Sequence, residues 1–169
     1  MPQMPPIGAE IPCSVLAIGS TIEYQNETIT CDLRGGVKHR VDVDPDDPTN
    51  SVRLRTVGFK VTAESDAGLI TFEQNDVDVD AKSILRQTQE SPPKYLHRDV
   101  QAFTIAFQDR GDAVVLVTRE PMVCEAEFAQ FPPRGDIYKL TKPVDLVDPD
   151  NPDQVVGRLT AFTSKRGGL

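Results

Sequence analysis

The residues of this chain that could do chemistry together are two histidines, an aspartate and an arginine. His39 alternates with Val37, Val41 and Val43, so an imidazole shares a face with apolar side chains. His97, Asp99 and Gln101 share the parity of Phe103, Ile105 and Phe107, and Arg55 shares that of Val57, Phe59 and Val61. Charged groups on an apolar face are costly to bury unless they pair. Either these strand ends protrude into water, or the groups meet inside. The second arrangement gathers His39, Arg55 and Asp99 around a pocket, with His97, Gln101, Phe103 and Tyr95 as ligand-binding neighbours. Such a trio suits cofactor-free acid–base work, in which a carboxylate or imidazole takes a proton and the guanidinium stabilises developing negative charge. Tyr24, Tyr95 and Tyr138 could add a phenol donor.

Other chemistries find less support. Zinc catalysis needs three protein ligands, and with 2 histidines in the chain no spacing assembles them. Asp42-x-Asp44-x-Asp46 and Asp76-x-Asp78-x-Asp80 both start like calcium loops, but the glycine position holds Asp47 or Ala81 and the glutamate position Arg53 or Gln87. A calcium site on Asp44, Asp46 and Asp47 is the alternative for the first; the second reads as a solvated strand face. The 3 cysteines form no Cys-x-x-Cys pair, and Cys31 and Cys124 alternate with apolar residues as small reduced core residues do. There is no Gly-x-Ser-x-Gly elbow and no glycine-rich phosphate loop. No cofactor is expected.

The elements that must position these residues are strands. Val, Ile and Thr are abundant, Asp outnumbers Glu, and 14 prolines and 11 glycines mark many turns. Residues 27–33 and 37–43 alternate on either side of Gly35-Gly36 and read as a hairpin. The apolar face of residues 52–63 switches near Thr56, which predicts a bulge or sheet-crossing bend near Gly58. Residues 81–91 are the best helix candidate. The expected fold is all-β: an antiparallel sandwich, or alternatively a closed barrel, of ten to twelve short strands with at most one short helix near 81–91. A Pro-rich arm (1–11) precedes a single domain (12–163), and an exposed tail (164–169) follows.

Two Asp-Pro-Asp turns, at 44–46 and 148–150, each feed a Val/Arg/Leu strand. The second strand, VVGRLTAF at 155–162, resembles the Val-Gly-Arg strand of dirigent and allene-oxide-cyclase-type barrels over those eight residues. That resemblance adds to the barrel alternative and carries no residue roles.

A net charge of −8 argues against nucleic acid or an anionic membrane as partner. No apolar run reaches the ~18 residues of a membrane-spanning helix, and residues 1–14 lack the pattern of a secretory signal, so the expected location is cytoplasmic. With no specific catalytic constellation, the sequence favours a non-catalytic structural or interaction module, self-associating or binding a protein partner. The alternative is a fold that holds an apolar small molecule and isomerises or cyclises it with His39, Arg55 and Asp99.

Overall fold

The computed structural model describes residues 4–65, 68–75, 77, 82–109 and 111–168. Its strands are β1 (Glu10–Tyr24), β2 (Glu27–Val43), β3 (Ser51–Ser65), β4 (Gly68–Gln74), β5 (Ile84–Gln89), β6 (Lys94–Gln101), β7 (Phe103–Asp109), β8 (Asp112–Thr118), β9 (Met122–Phe128), β10 (Arg134–Leu140), β11 (Val144–Asp148), β12 (Asn151–Ala161) and β13 (Ser164–Gly168). The strand pairings among the described residues are antiparallel, and the architecture is all-β and sandwich-like, as the alternation predicts. Segment 84–89, inside the helix candidate, is strand instead. Leu85 and Gln87 are buried while Arg86 is exposed, and pairing with β6 and β3 overrides local helix preference. The Asp76/Asp78/Asp80 row lies outside the described residues.

The ladder runs β12-β11-β8-β7-β4-β3-β2-β1-β13-β10-β9-β6-β5, and its two ends turn back, β12 onto β1 and β5 onto β3. Two rings of strands result. One comprises β1, β2, β3, β4, β7, β8, β11 and β12; the other comprises β1, β2, β3, β5, β6, β9, β10 and β13. The three longest strands, of 15, 17 and 15 residues, are the shared wall.

Serving two interiors constrains those three strands. In β2 every inward residue keeps one parity: Cys31 and Leu33 in the first ring, Val37, His39 and Val41 in the second. In β1 the register shifts between Ala17 and Ser20, so inward positions move from Cys13, Val15 and Ala17 to Ser20 and Ile22. In β3 His39 pairs Thr56 and Lys38 pairs Gly58, leaving Val57 as the extra residue of a bulge. Leu54 and Thr56 therefore face in before it, and Phe59 and Val61 after it. The face switch read from the sequence is this bulge.

Gly35-Gly36 is not a turn, because β2 runs through it unbroken. A Cβ on Gly35 would lie 1.9 Å from the Lys60 carbonyl oxygen, so glycine serves here for close backbone approach. At the ends of the chain, the Gly8 amide donates to Val41 and the Val41 amide to Ala9, which lays the Pro-rich arm along β2. Residues 164–168 are not an exposed tail: they pair with β1 and β10.

The first ring is filled by apolar side chains. Phe72 stacks on Phe103 (centroids 5.2 Å) and Phe162 (6.0 Å), with Leu33, Ile105, Leu116, Leu146 and Leu159 around them. The second ring holds Val15, Val37, Leu54, Leu85, Met122 and Phe128, but also a set of polar groups.

The Gly35 contact predicts that Gly35→Ala destabilises the fold by about 2 kcal/mol or more, since backbone must shift. Gly36→Ala, whose Cβ would meet the Cys13 carbonyl at 3.3 Å, should cost clearly less. Equilibrium urea unfolding of both variants checks this; equal costs would contradict it.

Candidate functional site

The polar groups of the second ring come from strands spread around its wall. β2 supplies His39, β6 supplies His97, Asp99 and Gln101, β10 supplies Tyr138 and β13 supplies Arg166. All six are at most 2% exposed. Asp99 is the hub. Arg166 Nη1 donates to its Oδ2 at 2.6 Å and Gln101 Nε2 to the same oxygen at 2.8 Å, while His39 Nε2 lies 3.4 Å from Oδ1. The Arg166 guanidinium also sits 4.0 Å from the centre of the Tyr138 ring, a cation–π arrangement. Tyr138 Oη and His97 Nδ1 share a hydrogen bond of 2.5 Å. The rings of His39 and His97 meet edge to face at 5.3 Å.

Burial and charge set the protonation states. Burial opposes ionisation of Asp99, but Arg166 and His39 outweigh it and hold the carboxyl well below its usual range. Burial disfavours charge on Arg166 too, yet Asp99 and its other neighbours keep it cationic. His97 is pushed down to about 3 by burial, so it is a neutral imidazole, and the Tyr138 phenol is raised, chiefly by burial. Cys124, opposite Asp99 on β9, is pushed up to about 12 by burial. All three cysteines are free and buried.

Several buried atoms of this cluster have no hydrogen-bond partner among the described residues: Arg166 Nε and Nη2, His97 Nε2, Gln101 Oε1 and Ser164 Oγ. Gln101 and Thr56, whose Oγ1 is also unpartnered, border a cavity of about 10 Å³, close to the room one water needs. The unpartnered Nε and Nη2 form the lateral edge of a guanidinium, the pair of parallel donors that fits both oxygens of a carboxylate-like group. One seam of the ring is short. β9 and β10 pair only at Glu125–Lys139 and Cys124–Leu140, although β9 continues against β6 to Phe128 and β10 against β13 back to Arg134. Phe128, Phe131 and Tyr138 line that seam, with Phe131 edge-on to His97 at 6.2 Å.

The structure brings together His39, Asp99, His97 and Gln101, as inward parity requires. Tyr95 is buried nearby on β6 and stacks on Phe128. Arg55 is not among them: it lies before the bulge, where odd positions face out, and it is exposed. Phe103 belongs to the other ring, because the chain crosses between rings at Ala102. Arg166, which sequence reasoning assigned to the tail, takes the place expected of Arg55. Its parity with Phe162 and Ser164 was the available signal. Asp44, Asp46 and Asp47 are turn formers. Asp44 Oδ1 accepts from the Asp46 amide, Asp47 accepts from Asn50 and Ser51, and Arg53 lies 3.8 Å from Asp44 and Asp46. The second Asp-Pro-Asp turn repeats the first bond, Asp150 amide to Asp148 at 2.9 Å.

No family model and no curated protein matches this chain. Its fold is similar to the solved structure of DynF from the dynemicin biosynthesis pathway of Micromonospora chersina. The TM-score is 0.76 at 22% identity, over 100% of this chain and 84% of that one. No helix among the described residues is long and apolar enough to cross a membrane.

The His97 environment predicts an acid-sensitive fold. The unfolded histidine titrates near 6.5, the native one near 3. Below pH 6.5 the unfolded chain therefore takes a proton that the native state refuses, and stability falls as pH drops. Between pH 6 and pH 4 the expected contribution approaches about 1.4 kcal/mol per pH unit. Asp99, depressed in the native state, starts to lose its contribution as pH falls through the ordinary carboxylate value of 3.8 and goes on losing it below. Urea unfolding of chelator-treated protein across that window should show a steeper slope for wild type than for His97→Gln; identical slopes would refute the assignment.

Proposed function

We propose that this protein binds a small molecule in its polar ring, with the lateral edge of Arg166 receiving an oxyanionic group of the ligand, a carboxylate or an enolised carbonyl. The observation that carries the reading is the unpartnered Nε and Nη2 of a guanidinium only 1% exposed. Leaving a buried donor unsatisfied costs about 1–3 kcal/mol, more for a charged group. A bound oxyanion removes that cost for both donors at once. The apolar body of the ligand lies along Phe128, Phe131 and Tyr138, reached through the short seam between β9 and β10.

The electrostatics favour binding over proton transfer by Asp99 or His97. A general base works best with a pKa near the working pH, and Asp99 and His97 both sit far below it. Asp99 serves to balance and aim Arg166. His39 is the group left for the isomerisation or cyclisation read from the sequence. Self-association through strand edges loses support, since the ladder ends are paired back onto β1 and β3. The likeness to DynF, a protein of the dynemicin biosynthesis pathway, is consistent with a small-molecule role.

Titration of chelator-treated protein with 2-naphthoate and its neutral counterpart 2-naphthamide, followed by naphthalene fluorescence, tests the reading. A charge-assisted hydrogen bond contributes about 1.5–3 kcal/mol, so naphthoate should bind roughly tenfold tighter or more. Arg166→Lys, which keeps the charge but loses the fork, should abolish most of that difference. Equal binding of the two probes, or no binding of either by folded wild type, would overturn it.

A further inference from the structure

We infer that His39, His97 and Asp99 form a three-ligand site for a divalent transition-metal ion. Each offers one ligand atom, these atoms lie within 4.8 Å of one another, and all three residues are buried. The local sequence accounts for two of them: His97 and Asp99 are two apart on β6, so both point to the same side of the strand. His39 comes from β2, across the ring interior. Two imidazoles and one carboxylate suit zinc, iron, cobalt or nickel.

The surroundings are those a metal site requires. A ligating histidine is ordinarily held by a hydrogen bond at its other ring nitrogen. His97 is so held, with Nδ1 on Tyr138 and Nε2 buried without a partner among the described residues. Asp99 is held in the same manner, for Arg166 and Gln101 both occupy Oδ2 and leave Oδ1 toward His39. The charge is also tolerable. A divalent ion with one carboxylate, two neutral imidazoles and the neighbouring guanidinium carries the same total charge as a divalent ion on three neutral histidines, a known catalytic set.

The site goes beyond ligand binding at Arg166, and the two can fail separately, since naphthoate binding is read on chelated protein and metal binding without naphthoate. The test uses tag-free full-length protein, stripped with chelator and titrated with Co(II). Wild type should take up one equivalent at micromolar concentration, and His97→Gln, checked for folding by circular dichroism, should bind at least a hundredfold more weakly. The chain has 2 histidines, so proton NMR of the wild-type cobalt protein gives a readout that needs no variant: imidazole signals of both should be strongly shifted by the paramagnetic ion. No uptake, shifted signals from fewer than two histidines, or unchanged affinity in folded His97→Gln would each overturn the site. So would a thiolate-to-cobalt charge-transfer band abolished by Cys124→Ser, because it would assign the ion to a different ligand set.

Discussion

The ion pair between Asp99 and Arg166 is the constraint on which the second ring depends. β13 carries into the interior a guanidinium only 1% exposed, and an unpaired charge there is untenable. Asp99 meets it from β6, with β10 and β9 lying between the two strands around the wall. The pair thus spans the interior instead of joining neighbouring strands. It links positions 67 residues apart in the chain and helps fix how β6 and β13 face each other. Gln101, His39 and Tyr138 complete the shell, and each is placed by the alternation of its own strand.

The contrast between the two rings follows from three shared strands and two register shifts. A strand that lines two interiors in succession must present inward residues to both, and a one-residue slip would turn every side chain of one half outward. β1 and β3 solve this with bulges, whereas β2 solves it with Gly35 at the point of closest approach to β3. One interior can then be packed like an ordinary core around Phe72, Phe103 and Phe162, while the other holds charges. Apolar burial accounts for the first ring, and specific pairing accounts for the second.

Period-two alternation made much of this legible. It put His39, His97, Asp99 and Gln101 on inward faces, identified the switch near Gly58, and read Cys31 and Cys124 as core. What it could not supply was the number of residues between a bulge and the next inward position. Arg55 was assigned to the parity that holds after Val57, but it stands before it. Gly35-Gly36 was misread because a tight turn and a close strand approach call for the same residue. Arg166 was hidden by its neighbours, as a basic, glycine-rich stretch near the end of the sequence has the composition of a solvated tail. The pairing of β13 with β1 and β10, which buries it, is a contact no local pattern contains. Segment 84–89 shows the same limit, where pairing with β3 and β6 decides against local preference.

The central claim is that Asp99 and Arg166 stabilise one another as a buried pair. A double-mutant cycle with Asp99→Asn and Arg166→Met, read by urea unfolding at neutral pH, measures it directly. Each single change should cost about 3–5 kcal/mol, because it strands a buried charge. The double change should cost well under the sum of the two, giving a coupling of about 2 kcal/mol or more. Additive costs would contradict the account, for they would mean that neither charge depends on the other.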